Sequence, residues 1–376
     1  MAKNWLLNKI FGKEKEPDWV LIIIVLGLVV YGLIMLSSAT SAVAFSKFGN
    51  SYYYAKHQLF GVFIGLLFMI FFANYNYHNL KRVAFGFLII SFFLLLLVFI
   101  PGLGEHYGKA RSWINVFGFS LQPSEFVKLS FLIYLAAWLD NRGKKIKKKS
   151  ELSTPFIIIL SVICILMLLQ PDLGTLLIVV AASLIVYFVG GGGKRHIALW
   201  IVIGLIGLTA LISINPYQQE RFKCLLNPES AAKTTCYQVN QSLIAVGSGG
   251  LFGRGLGQSR QKFSYIPEVE GDSIFSIISE ETGFIFNFLL IILYLLFFYR
   301  GYKISQNSSD GFGANLSIGI ASWLTIQAFI NIGGMINLLP MTGVPLPFIS
   351  YGGSAMMASL AGVGILLNIS KQMKDG

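Results

Sequence analysis

The chain of 376 residues carries a formal net charge of +12, with 55% hydrophobic residues and only 12% charged ones. That charged share is about half of what soluble domains use, and the mean hydropathy is +0.68. A soluble fold needs far more polar surface to cover its core, so an ordinary cytosolic enzyme, a disordered chain and a nucleic-acid binder are excluded, and three cysteines are too few for a disulfide scaffold.

What is left is an all-α polytopic membrane protein. A spanning helix takes about 20 mainly apolar residues. Such runs fall near 18–38, 58–74, 83–103, 121–139, 154–170, 173–190, 196–214, 272–298, 314–338 and 351–369. They predict about ten transmembrane helices in one domain covering 1–376. Two runs are weaker. The one at 121–139 holds Glu125 and Lys128, and only Gln-Pro-Asp separates the one at 154–170 from its successor. Residues 1–17 are polar and basic, and no small-residue cleavage site follows the first span, so a cytoplasmic tail is expected and a signal peptide is not.

Lysine and arginine placement sets the orientation. One side collects Lys3, Lys9, Lys13, Lys15, Lys81, Arg82, the cluster Arg142 to Lys149, Lys194, Arg195, Arg300, Lys303, Lys371 and Lys374. The short segments on the other side hold only Lys47, Lys56, Lys109 and Arg111. Both termini are therefore expected in the cytoplasm, with a large outer loop at 215–271 between the seventh and eighth spans. The cluster Lys144 to Lys149 reads first as an anchor on anionic headgroups and second as a docking site.

The polar residues gather in a few places. The outer loop holds Cys224 and Cys236, either as a disulfide on the oxidising face or as two thiols. Residues 247–257 are glycine-dense without G-x-G-x-x-G spacing or a preceding strand, which excludes a dinucleotide fold. Their backbone either approaches an anion or turns at the membrane surface. Arg260, Lys262, Glu268, Glu270 and Asp272 follow. Ser276, Ser279 and Glu280 share a helical face with Asp272. Ionisable residues at a span mark a pathway or a site by default, although an aspartate at a helix start also serves as an N-cap. Glu280 and Glu281 read as hydrogen-bonded to a neighbouring helix. Further groups are Arg111-Ser112-Trp113, the i, i+3 pair Glu125 and Lys128, Gln170-Pro171-Asp172, and the segment Pro340 to Ser354 with Ser350. The breaks around Arg111, Asp172, Asp272 and the proline–glycine loop all fall on the outer side. Irregular backbone at membrane depth is tolerated only where protein buries it or a wet cavity adjoins it, which implies an outward-facing polar cavity. His57, His78, His106 and His196 show no metal-ligand spacing, and no carboxylate cluster calls for a metal.

These motifs carry a resemblance. Ala110-Arg111-Ser112-Trp113-Ile114, Gln122-Pro123-Ser124-Glu125 with Lys128, Gln170-Pro171-Asp172-Leu173-Gly174-Thr175, the glycine loop, Ile266-Pro267-Glu268 with Asp272, and Pro347 to Ser354 together resemble the SEDS family (shape, elongation, division and sporulation), which includes FtsW, RodA and SpoVE. The likeness runs from the first span to the last. Gln258 to Phe263 is similar to the division type, FtsW, more than to the elongation type. One departure is Glu270-Gly271, where the family commonly has His then Thr or Asn; a carboxylate there is expected to raise the pKa of Asp272.

The resemblance implies an inverting peptidoglycan glycosyltransferase in the bacterial cytoplasmic (inner) membrane, acting during septal wall synthesis. It would polymerise lipid II, an undecaprenyl-pyrophosphoryl disaccharide-pentapeptide, with undecaprenyl pyrophosphate leaving. A monofunctional class B penicillin-binding protein and division-machinery membrane proteins would be its partners, and nucleic acid would not. Asp272 matches the family's catalytic aspartate. Arg111, Lys128, Arg260 and Lys262 are the candidate pyrophosphate and head-group cations, since a pyrophosphate in departure needs positive charge. Glu125, Asp172, Glu268, Glu280 and Ser350 are supporting candidates. No cofactor is required, and a divalent cation on the pyrophosphate stays open. The alternatives are a lipid II flippase or transporter and, within the family, a RodA-like elongation polymerase.

Overall fold

The computed structural model describes residues 16–100, 104–107, 110–116, 119–143, 150–231 and 234–373, with side chains of 104–112, 115–120, 143, 150–153 and 230 outside the description. The basic cluster from Lys144 to Lys149 and the first fifteen residues lie outside it too.

Twelve α-helices are described: α1 (Trp19–Phe48), α2 (Tyr53–Asn74), α3 (Tyr77–Leu97), α4 (Pro123–Gly143), α5 (Ser150–Leu169), α6 (Leu173–Val189), α7 (Lys194–Ile214), α8 (Pro216–Leu226), α9 (Tyr237–Ser248), α10 (Ile274–Gln306), α11 (Gly311–Met335) and α12 (Gly353–Lys371). Seven of them, α1, α2, α3, α7, α10, α11 and α12, are long and apolar enough to cross a membrane. The apolar stretches Thr154–Leu169 and Leu173–Val189 are shorter, and α4 carries the buried Glu125 and Lys128. These helices account for the ten expected spans. Their ends differ from the apolar runs: α1 continues to Phe48 and α10 to Gln306, because backbone hydrogen bonding carries a helix past the hydrocarbon edge that hydropathy marks.

Between α3 and α4 the chain forms a small antiparallel sheet, β1 (Gly104–Tyr107), β2 (Ala110–Val116) and β3 (Phe119–Leu121), in that order. Ile114 pairs with both Gly104 and Leu121. This is an addition to the all-helical expectation.

The core sits where α10, α11 and α12 meet α2 and α4. Lipid tails are as apolar as leucine, so helices associate in a membrane by close packing rather than by a hydrophobic drive. Small residues allow it here. A Cβ on Gly61 of α2 would stand 2.9 Å from the Cα of Gly353, and one on Gly364 of α12 would strike the carbonyl of Met69. α7 is the opposite case, with no buried residue.

The two ends of the bundle differ in chemistry. At one end Arg300 donates to Asp18 Oδ2 from both Nη2 and Nε, at 2.6 and 2.9 Å, Lys81 pairs with Asp140 at 2.5 Å, His78 meets Asp310 at 2.6 Å, and Lys371 donates to the carbonyl of Ala73 at 3.0 Å. The opposite end collects the sheet, the breaks after α5 and α11, and the loop from α7 to α10.

α10 is broken at Gly283 (φ 76°, ψ −177°). A break frees backbone groups that lipid cannot satisfy, and the glycine loop satisfies them. Phe284 and Ile285 N–H donate to the carbonyls of Gly250 and Leu251 at 2.9 and 3.2 Å, while Arg254 and Gly255 N–H donate to those of Glu280 and Glu281 at 2.9 and 3.0 Å. The approach is so close that a Cβ on Gly249 would collide with the carbonyl of Ser279, and one on Gly253 with that of Glu281. These contacts support the backbone-turn reading of the loop. The N–H groups of Arg254 and Gly255 are spent on the helix break and do not face an anion.

Candidate active site

Asp272 lies two residues before α10 and is only 7% exposed. It is not the N-cap: Ser273 occupies that position, and no side chain caps the helix. The carboxylate instead lies between Gln238 of the outer loop and Gly343 of the proline–glycine loop. Its Oδ1 accepts from Ser273 Oγ at 3.3 Å and from Gln238 Nε2 at 3.5 Å. Its backbone carbonyl accepts from Asn331 Nδ2 at 2.8 Å, and the same amide donates to the carbonyl of Val344 at 2.8 Å. Asn331 on α11 thus ties Asp272 to the proline–glycine loop.

Burial pushes the Asp272 carboxyl up to about 7; the charge of Glu268 adds to this, and the guanidinium of Arg221 on α8 opposes it. The like-charge neighbour is Glu268, not the expected Glu270. Glu270 is occupied elsewhere, accepting from Tyr54 at 2.8 Å and lying 3.7 Å from Lys47, while its carbonyl accepts from Tyr351 N–H at 2.8 Å. Glu268 is exposed yet raised as well, by partial burial and then by Glu270, with Arg221 and Lys47 opposing. Its backbone is left-handed (φ 50°), a costly conformation for a non-glycine residue that recurs at functional sites.

The four groups of polar breaks converge on this end. Asp172 caps α6 by accepting from Thr175 N–H at 3.0 Å, and Ser124 at the start of α4 reaches its other oxygen at 3.5 Å. A Cβ on Gly174 would touch Thr342 and Val344, so the cap of α6 abuts the proline–glycine loop. Ser350 closes that loop by accepting from Leu346 N–H at 2.8 Å; its carbonyl and the Gly352 N–H are both held by the amide of Gln58 at 3.1 Å. Arg221 donates to the carbonyl of Met341 at 2.5 Å and stacks on Tyr217.

The candidate cations take different positions. Lys128 is buried in α4, donating to Glu125 Oε1 at 2.7 Å and to Gln327 Oε1 at 2.6 Å beside the Trp323 ring. The second oxygen of Glu125 has no partner among the described residues. Gln327 passes the connection on by donating to the carbonyl of Pro345 at 2.9 Å. Through Gln327 and Asn331, one turn apart on α11, the buried ion pair and Asp272 share the same loop. Lys262 is buried too, committed to Glu281 at 3.1 Å and the carbonyl of Gly257 at 2.6 Å. Glu280 accepts from Ser259 Oγ at 2.5 Å and from the N–H groups of Arg260 and Gln261 at 3.2 Å. Lys262, Glu280 and Glu281 therefore brace the loop against the helix break. Arg260 is exposed. Arg111 is placed by its backbone in β2, and its side chain lies outside the described residues.

The reading by motif passed over Arg221, Gln238 and Asn331. Each sits outside the motifs singled out there, on a helix that only the fold brings to Asp272. The one available signal was that 215–271 is the largest polar segment. Cys224 and Cys236 are disulfide-bonded, which settles that alternative.

A family model described as "cell cycle protein", named for FtsW, RodA and SpoVE, matches residues 18–375. The chain is 42% identical to stage V sporulation protein E of Bacillus subtilis over 96% of this chain and 98% of that protein. It is 37% identical to the probable peptidoglycan glycosyltransferase FtsW of Geobacter metallireducens, over 100% and 99%. Among solved structures it superposes on a chain of a peptidoglycan synthase complex that coordinates polymerization and crosslinking, with a TM-score of 0.76 at 27% identity, covering 94% of this chain and 97% of that one. It also superposes on the rod shape determining protein RodA of Thermus thermophilus, with a TM-score of 0.69 at 28% identity, covering 96% and 98%.

Proposed function

Because the chain belongs to the cell cycle protein family of FtsW, RodA and SpoVE, we propose that this multi-pass membrane protein is a peptidoglycan glycosyltransferase that polymerises lipid II on the outer leaflet. The observation that carries this is Asp272, a buried carboxyl raised to about 7 where the polar breaks of the bundle converge.

The 4-hydroxyl of an acceptor sugar attacks C1 of the donor, and undecaprenyl pyrophosphate leaves from the opposite face with inversion. A sugar hydroxyl is a weak nucleophile. A positioned base whose pKa lies near the working pH typically contributes 10²–10⁴-fold, and Asp272 fits that role. The departing pyrophosphate needs cations. Arg221 acts on both Asp272 and Glu268 and carries the planar fork that suits phosphate, so it joins Arg260 as a pyrophosphate candidate. Lys128 acts from within its ion pair, through Gln327 and the proline–glycine loop. A divalent ion on the pyrophosphate would share the cationic role.

A long prenyl chain stays in the bilayer, so the reaction belongs at the interface, with the head group beside Asp272. The similarity to a chain from a synthase complex supports a class B penicillin-binding protein as partner. Gln258 to Phe263 favours a septal role over elongation. The test supplies labelled lipid II to the purified protein, with its partner present. Glycan chains from the native protein and none from Asp272→Ala are expected. Equal polymer from both would remove Asp272 from the chemistry, and leaflet exchange of lipid II without polymer would make the protein a flippase.

A further inference from the structure

Two of the groups around Asp272 come from the two sides of one disulfide. Arg221 lies three residues before Cys224 on α8, and Gln238 lies two residues after Cys236 at the start of α9. The two helices are held very differently. α9 is a platform: Val239, Ser242 and Ala245 are buried, and it packs on α10 and α11. α8 is a surface helix with only Gln218 and Cys224 buried. It leans on α7, which buries nothing, and on the short turn Pro228–Ala231. Its ties to the body of the protein include Arg221 to the carbonyl of Met341, Asn337 to the carbonyl of Leu225 at 3.1 Å, and the disulfide. Below the disulfide, Asn240 holds the carbonyl of Pro228 at 2.6 Å. The covalent link thus joins the exposed helix bearing the cation directly to the platform bearing the amide.

We infer that Cys224 and Cys236 are positioning residues for the transferase: their disulfide fixes Arg221 against the Asp272–Glu268 pair, so that the oxidised protein is the competent one. This rests on the proposed reaction and adds to it a dependence on the thiol state of the outer loop. The charged groups that act on Asp272 are Glu268 from its own loop and Arg221 from α8, whose guanidinium is held on the carbonyl of Met341, two residues before the Gly343 that lies against Asp272 Oδ2. The neighbours from α9, α11 and the proline–glycine loop are the uncharged Gln238, Asn331 and Gly343. Glu270 and Lys47 act at one remove, through Glu268. Arg221 is therefore the one cation among the described residues whose displacement changes the balance at Asp272 directly. Losing it makes the carboxylate harder to ionise, so the acid limb of activity moves to higher pH.

The experiment reduces the purified protein with a phosphine. The phosphine cleaves the S–S bond and takes oxygen from water to become its oxide, the two protons of that water complete the two thiols, and mass spectrometry counts them. Two readouts follow against pH: polymer from labelled lipid II, and carbodiimide labelling of Asp272, which reports its protonation without turnover. Reduction is expected to lower kcat by about tenfold or more, since small misplacements of a catalytic group are costly. It is also expected to raise the midpoint of both pH curves by on the order of one unit. The double variant Cys224→Ser/Cys236→Ser should match the reduced protein without added phosphine. Arg221→Gln in the oxidised protein should shift the curves the same way, and reduction should then add nothing. Unchanged kcat and pH curves in a protein with both thiols free would overturn the inference. So would a loss of activity with no movement of the labelling curve, which marks a merely structural link. If the oxidised protein makes no polymer, the proposed reaction fails, and the labelling curve still decides whether the disulfide positions Arg221.

Discussion

Replacing Asp272 by asparagine should abolish the proposed transfer and, at the same time, stabilise the protein in a pH-dependent way. Burial and Glu268 raise the carboxyl from its ordinary 3.8 to about 7. Between those values the folded state binds a proton that the unfolded state has released. Stability conferred by the native residue therefore falls as pH rises through that window and is level above it. Each pKa unit is about 1.4 kcal/mol, so the ionised carboxylate costs the folded state up to about 4 kcal/mol at pH 8 and less than about 1 kcal/mol at pH 4. Asparagine keeps an acceptor for Gln238 and Ser273 but brings two N–H donors to be satisfied, which takes back about 1–2 kcal/mol at every pH. The net expectation is a variant more stable than the native protein by about 2 kcal/mol at pH 8, with that advantage gone or reversed at pH 4. Thermal melts of both proteins in the same detergent across pH 4 to 8 measure the difference. A gap that does not widen with pH would refute the argument that Asp272 is ionised at a cost.

The same titration predicts that polymerisation falls about tenfold per pH unit below the midpoint near 7 and levels off above it, read from initial rates at saturating lipid II. Lys128→Met leaves Glu125 buried and uncompensated and should cost about 3–5 kcal/mol, whereas Glu125→Gln with Lys128→Met should recover most of it; a double variant no more stable than the single one would mean the two residues act separately. Gly249→Ala forces a Cβ into the Ser279 carbonyl, while Gly247 has open space. The first should destroy folded protein in size-exclusion profiles and Gly247→Ala should leave it intact; equal profiles would dissolve the claim that the glycine loop seals the helix break.

How far the residues disclosed this in advance depends on the kind of signal. Spans are read from runs of apolar side chains, and the seven long apolar helices fall where those runs do. Their ends were less legible because hydropathy reports the hydrocarbon edge, not the end of hydrogen bonding. The pairing of Glu125 with Lys128 could be read from i, i+3 spacing, since one helix fixes both positions. Lys262 could not be sorted from Arg260 by sequence: two residues apart, one is buried against Glu281 and the other exposed, and only the route of the loop decides. The source of the like charge on Asp272 is hidden from the sequence for a similar reason. Glu270 is nearer in sequence, but Tyr54 and Lys47 draw it away. The short sheet before α4 was hidden because a few strand residues among glycines give no lasting alternation.

The pairing of α2 with α12 joins residues 53–74 to residues 353–371, and Asp18 waits for Arg300 in the same way. A nascent chain therefore inserts most of its helices before the second one meets its permanent neighbour. Until the ribosome has released α12, the glycine seam of α2 has only lipid or a substitute to lie against. Truncation within or before α12 would leave that seam open, so shortened products should be marked for membrane quality-control proteolysis rather than persist.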